Sequence, residues 1–123
     1  MKNYRRTLSA SSLEKDPVVD AQGEKIGTLK EIMIDLELGR IAYLVISFGG
    51  FLGLGEKLFA IPYAAVKVDE DSKQIIVDTT KEKLENSPGF DPENWPDATQ
   101  FDIEGLYSFY KVKPYWHDPT ERW

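Results

Sequence analysis

Apolar and polar residues alternate in short runs through the first part of the chain, which is the pattern of β-strands. Lys25 to Asp35 is a long run of this kind, in which Ile32 and Ile34 occupy alternate positions. We therefore expect both isoleucines to face the core. Gly27 interrupts the run and predicts a bulge or a sharp bend.

A second long strand is predicted at Ile41 to Phe48, the most apolar segment of the chain. Its nearly continuous apolarity favours burial on both faces, or one face covered by another element. Glu37 to Arg40 joins the two long strands as a hairpin, in which Gly39 supplies a positive φ. Three further strands are predicted at Lys57 to Pro62, Ala65 to Val68 and Gln74 to Val77.

Capping-box spacings predict short helices near both ends of the chain. Ser11 and Glu14 have this spacing at one end, and Thr99 and Asp102 have it at the other. One face of the second segment carries Ile103, Leu106, Tyr107 and Tyr110. Short strands, a glycine bend and one late helix predict a mainly β fold, a small and highly bent β-barrel with short C-terminal helical segments.

The composition is that of one globular domain with a modest core, with 123 residues, 41% hydrophobic and 29% charged. Cysteine is absent from the sequence, which excludes disulfides, thiolate metal sites and thiol catalysis. The sequence contains no apolar run of membrane-spanning length, and Thr7 to Asp16 is too polar for a signal peptide. We therefore expect a cytoplasmic protein without a transmembrane segment.

The net charge of −6 arises from one acidic segment. Leu84 to Tyr110 contains no Lys or Arg. Its acids are Glu85, Asp91, Glu93, Asp97, Asp102 and Glu104. Such a protein binds phosphate backbones poorly, so nucleic acid is not the expected partner. The basic residues Lys2, Arg5 and Arg6 either contact RNA or an anionic surface, or form a solvated terminus.

Side chains able to carry chemistry are scarce. His117 is the only histidine and no serine lies in a nucleophile elbow, so neither a metal site nor nucleophilic catalysis is expected. Gly50 and Gly55 have the spacing of a phosphate-binding loop, but Glu56 stands where that loop needs lysine. Asp69 to Asp71 fits a solvated turn. We therefore expect no enzyme activity, no cofactor and no bound metal.

The glycine-rich loop after the most apolar strand is the strongest candidate for a functional site. Its Phe51, Leu52 and Leu54 either stand exposed as anchors for a protein partner, or fold back to plug one end of the barrel. Tyr115 and Trp116 in the aromatic tail are the second candidate for partner contact. A homodimer is one way to cover the remaining apolar surface, and the identity of a partner stays open.

Several segments taken together resemble the PRC-barrel family. They are Asp16 to Gly27, Ile32 to Asp35, Gly39 to Tyr43 and Lys57 to Tyr63. In that family an Ile-Gly opening precedes a strand that ends in an acid, and a Gly-Arg-Ile strand and an Ile-Pro strand follow. The family includes the cytoplasmic domain of the photosynthetic reaction-centre H subunit, the C-terminal domain of a ribosome maturation factor, and stand-alone bacterial proteins whose tails this chain's tail resembles.

The resemblance implies a barrel over residues 8–78 and a helical, aromatic-rich extension packed on it over residues 79–123. It also implies a module that docks proteins or ribonucleoprotein. The expected function is therefore non-catalytic protein interaction or assembly, and the alternative is an RNA- or ribosome-associated accessory role. The sequence shows neither the H subunit's membrane helix nor the maturation factor's N-terminal domain, so neither relative's own function is carried over.

Overall fold

The computed structural model describes residues 6–48, 57–79, 83, 89–90 and 102–117. The strands within these residues are β1 (Pro17–Val19), β2 (Lys25–Asp35), β3 (Arg40–Phe48), β4 (Lys57–Ile61), β5 (Val66–Asp69), β6 (Gln74–Val77) and β7 (Gly89–Phe90). The helices are α1 (Ala10–Glu14) and α2 (Ile103–Tyr110), and short 3₁₀ turns span Tyr63–Ala65 and Tyr115–His117. None of these described helices is long and apolar enough to cross a membrane.

The strands form one sheet of seven strands in the order β5-β6-β1-β2-β3-β4-β7. β1 and β6 run parallel, and the other neighbouring pairs run antiparallel. β1 to β4 therefore form a meander, to which the β5–β6 hairpin is joined through β1. The mainly β fold with a short C-terminal helix and both predicted hairpins are confirmed. Gly39 has the expected positive φ, at 65°.

The core is one cluster of apolar side chains that spans the sheet and α2. β3 buries Leu44, Val45 and Ile46 in succession, which confirms that its apolar run is covered on both faces. The largest fully buried side chains include Phe59, Ile46, Leu58, Ile61 and Ile75. Each buried side chain of this size stabilises the fold by about 1.5–3 kcal/mol relative to exposure.

β2 is bent by interruptions in its pairing. Its register with β3 shifts at Lys30 of β2 and again at Ala42 of β3, so that the register skips both residues. Such bulges bend a strand and increase its twist. A third shift, between β1 and β2, skips Ile26. Ile26 directly precedes Gly27, where the sequence predicted a bulge or a sharp bend, so that prediction is confirmed.

The position along β2 decides which of its alternating side chains reach the core. Ile32 is half-buried and packs against the core, as expected. Ile34 is 53% exposed, so the prediction that it faces inward is wrong. Ile34 is the next-to-last residue of β2, beside the hairpin tip, and its cross-strand partner Ile41 is itself only half-buried, so the core no longer covers this face of β2 there.

The helices form where they were predicted, but other residues cap them. Ser9 caps α1 in place of Ser11. Asp102 itself is the N-cap of α2, a position predicted for Thr99, and its Oδ1 accepts a hydrogen bond from the amide of Gly105 at 2.8 Å. The predicted apolar face of α2 is confirmed, because its buried residues are Leu106, Tyr107 and Tyr110.

Replacing Gly27 by Ala should lower the free energy of unfolding by about 1–3 kcal/mol, because the new Cβ would overlap the backbone oxygen of Ser47. A matched change, Gly39→Asn, places its side chain in open space. Asn tolerates the left-handed backbone there, so the loss should stay below about 1 kcal/mol. Urea denaturation of both variants measures the difference. Equal losses would contradict the close approach of β2 and β3 at Gly27.

Candidate functional site

The turn between β2 and β3 is built around the carboxylate of Asp35. Its Oδ1 accepts hydrogen bonds from the amides of Glu37 at 3.0 Å and Leu38 at 3.1 Å. The amide of Gly39 donates to the backbone oxygen of Asp35 at 2.8 Å. An aspartate that binds the amides following it fixes a tight turn. The second carboxylate oxygen remains available to a partner outside the turn.

That partner is Tyr115, whose hydroxyl donates to Oδ2 of Asp35 at 2.6 Å. Arg40, the cross-strand neighbour of Asp35, places its guanidinium 5.2 Å from the centre of the Tyr115 ring. A cation over an aromatic face is attracted by the electron-rich ring. These contacts fasten the segment after α2 to the end of the β2–β3 hairpin.

A second tyrosine fastens α2 itself to β3. The Tyr107 hydroxyl donates to the backbone oxygen of Ala42 at 2.5 Å. In the described registers of β3 with β2 and β4, Ala42 has no partner residue, so a side-chain donor can reach its carbonyl. Tyr107 also meets the rings of Tyr115 and Trp116 edge-on, with centroids 6.0 and 4.9 Å away. We call Tyr107, Tyr115 and Trp116 the aromatic cluster.

Hydrogen bonding and burial shift the pKa values of these groups. The hydrogen bond from the Tyr115 hydroxyl holds the pKa of Asp35 below its usual value. Burial opposes this with a smaller effect, and the amides of Leu38 and Glu37 lower the pKa further. Burial, and then the Asp35 carboxylate, raises the pKa of Tyr115. Burial also raises the pKa of Tyr107 to about 12. Both tyrosines therefore remain neutral donors at physiological pH.

A cleft of about 530 Å³ opens beside the aromatic cluster. Its walls come from the β2–β3 hairpin, the 3₁₀ turn at Tyr63, α2 and the segment that follows α2. The charged residues of its lining are Arg40 and Lys113. A second cleft of about 400 Å³, on the β5 side, shares Ile41 and Tyr63 with the first.

The two clefts adjoin at Ile41 and Tyr63, and we call the surface that they form together the Tyr63 groove. Its lining includes Arg6, Leu8, Arg40, Ile41, Tyr63, Lys67, Glu70 and Lys113. Tyr63 belongs to both clefts and is 43% exposed, so its ring offers apolar surface along the groove. Lys67 and Val68 of β5 line the second cleft.

Two further aspartates within the described residues build turns as Asp35 does. Asp20 is buried, and its Oδ1 accepts from the amides of Gln22 and Glu24, both at 2.9 Å. Asp69 binds following amides in the same way in the β5–β6 turn, where the sequence predicted a turn. The described part of the chain holds no group of three His, Cys, Asp or Glu residues that could bind a metal ion.

The residues predicted for partner contact have different places in the structure. Phe51, Leu52 and Leu54 lie outside the described residues. Tyr115 is 8% exposed and Trp116 is half-buried against α2, so both rings pack within the chain. Partner contact by these residues therefore stays a prediction.

Sequence reasoning missed the residues that build the groove. The sequence indicates Asp35 as one of two carboxylates, with Glu37, at a strand end, and Arg40 as part of a turn, without a link from either residue to Tyr115. The bond from Asp35 to Tyr115 joins positions 80 apart in the chain, and no local pattern reports such a distance. The one local indication of this groove in the sequence was the place of Tyr63 in a short turn, where its ring is exposed in the structure.

Comparison with known proteins agrees with this architecture. A model of the PRC-barrel domain matches residues 6–84, which include β1 to β6 and much of the groove. The resemblance drawn from the sequence is thereby confirmed. Among curated proteins, none matches the chain significantly.

Replacing Tyr115 by Phe should lower the free energy of unfolding by about 1 kcal/mol at pH 7. The bond to the Asp35 carboxylate is lost while the ring remains, and partial solvation of Asp35 keeps the loss small. Because the pKa of Asp35 is lowered in the folded state, this contribution is complete above the unfolded aspartate pKa, near about 4. It should disappear as the pH falls through the folded pKa.

Urea denaturation from pH 7 down to about pH 2 measures this dependence. Tyr63→Phe is the matched control, because it removes a hydroxyl from an exposed ring and should have little effect at any pH. A difference between wild type and Tyr115→Phe that stays constant over the whole range would contradict the role assigned to Asp35.

Proposed function

We propose that this chain, which belongs to the PRC-barrel family, is a non-catalytic module for protein docking and assembly. The observation that carries the proposal is a contrast between polar and apolar groups. Among the described residues, several polar side chains that could do chemistry are bound into turns and contacts, whereas four large apolar side chains are exposed. The most exposed of these four is Leu36, at 91%.

The polar side of the contrast lies in the groove and the turns. The hydroxyls of Tyr107 and Tyr115 donate to a backbone oxygen and a carboxylate inside the chain. Asp20 and Asp69 accept amide hydrogen bonds within turns. Groups held in this way stabilise a fixed shape, and a fixed shape suits recognition of another macromolecule.

The apolar side of the contrast lies at the surface. Leu36 is at the tip of the β2–β3 hairpin and Ile34 lies close to it. Exposed apolar side chains grouped in this way are typical of protein interaction sites. Phe51 and Leu54, which follow β3 in the chain, lie outside the described residues and remain the other candidate for partner contact.

An RNA- or ribosome-associated role is the alternative function. It rested on the basic residues Lys2, Arg5 and Arg6, of which Arg6 lies within the described residues. The Arg6 guanidinium pairs with the Glu70 carboxylate at 2.7 Å. This pairing gives the RNA role no support, and the experiment below separates the two functions.

Affinity capture from the native lysate, with nuclease treatment and mass spectrometry, tests the docking function. The wild type should retain a discrete set of proteins after nuclease treatment. Either Leu36→Asp or the double change Phe51→Asp with Leu54→Asp should reduce recovery by about tenfold or more, as loss of an interface anchor does. Whichever change acts identifies the contact surface.

Lys25→Ala, an exposed change on β2, is the control and should retain the same proteins. Two results would contradict the docking function. One is a captured set that is unchanged in both apolar-to-Asp variants. The other is a set of ribosomal proteins that disappears with nuclease, which would favour the RNA alternative.

A further inference from the structure

We infer that the Tyr63 groove binds an extended acidic segment of a partner protein, one in which carboxylates alternate with apolar side chains. The inference rests on the proposed docking function and adds the chemistry of the partner. Three features of the groove support it, namely its shape, its charge and the apolar groups along it.

The shape of the groove fits an extended chain. Two clefts of about 530 and 400 Å³ lie next to each other and share Ile41 and Tyr63. In an extended segment, side chains on one face repeat every second residue, so successive ones can enter neighbouring clefts. The second cleft also lies beside β5, an end strand in the described sheet order, and sheet ends are common places for a peptide strand to add.

The charge of the groove is opposite to that of the whole protein. The chain carries a net charge of −6. The described lining contributes Lys67 in the second cleft and, in the first, Arg40 and Lys113, which also interact within the chain. The one carboxylate among the described lining residues is Glu70, and Arg6 pairs with it at 2.7 Å. Complementary charge selects an acidic partner and speeds its association.

Apolar groups along the groove indicate that the partner segment carries apolar side chains as well as carboxylates. Tyr63 and Leu8 are large, exposed and part of the lining. Tyrosine is frequent among the residues that dominate binding energy at protein interfaces. Asp35 is not among the described lining residues, and its Oδ2 accepts a hydrogen bond from the hydroxyl of Tyr115, which is one of them.

Amide chemical shifts of the full-length, ¹⁵N-labelled protein provide the test. The probe is an end-blocked synthetic peptide in which Glu alternates with Leu and Ser, and the matched peptide carries Lys in place of Glu. We expect saturable shifts with the Glu peptide that concentrate at Ile41, Tyr63 and Lys67. The Lys peptide should cause none there.

Variants then identify the residues that bind. Lys67→Glu, Lys113→Glu and Tyr63→Ala should each weaken binding of the Glu peptide by about tenfold or more. Lys25→Glu makes the same charge change at an exposed position outside the groove and should leave binding unchanged. Retained dispersion of the amide spectrum shows that each variant is folded.

Several results would overturn the inference. They are absence of shifts with the Glu peptide, shifts elsewhere on the protein, or equal affinity of wild type and Lys67→Glu. Displacement of the Glu peptide by oligouridylate at matched charge would also overturn it, because the groove would then bind polyanions in general. If peptide binding fails while capture remains sensitive to Leu36→Asp, the groove inference falls and the docking function stands. If the peptide binds but capture fails, the docking function falls.

Discussion

The hydrogen bond from the Tyr107 hydroxyl to the backbone oxygen of Ala42 is the interaction on which the rest of the site depends. Ala42 is the residue left over where the register of β2 and β3 shifts. A buried carbonyl without a donor costs about 1–3 kcal/mol, so a bulge inside a core needs a partner from elsewhere. Tyr107 provides it, and one contact both completes the bent strand pair and fixes α2 on the sheet.

The walls of the Tyr63 groove follow from that contact. With Tyr107 in place, Tyr115 and Trp116 stack edge-on beside it, and Tyr115 reaches Asp35 at the end of the hairpin. Arg40 then covers the Tyr115 ring. The packing that holds α2 on the sheet therefore also produces a cleft with aromatic and cationic side chains in its walls. The proposed docking requires only that the side of this cleft facing Tyr63 stays open.

Strong local patterns could be predicted from the sequence, and the irregularities could not. The apolar run of β3 and the β5–β6 hairpin formed as expected, because periodicity and turn residues dictate them. The inward position of Ile34 was wrong because alternation does not report where along β2 the core ends, and Ile34 lies beside the hairpin tip. The bulge at Ala42 carries no glycine or proline to mark it. Several hydroxyls and carboxylates lie before each helix and compete to cap it, so the choice of Ser9 and Asp102 depends on tertiary packing.

Hydrogen exchange of the Tyr107→Phe variant tests the role of this hydrogen bond most directly, since the change removes one hydroxyl and keeps the ring. We expect the amides of Tyr43 and of α2 to exchange about tenfold faster or more, whereas the amide of Ile75 in β6 should be little affected. Unchanged protection throughout, or an equal loss in β6, would contradict the claim that this hydrogen bond holds α2 to the bulge.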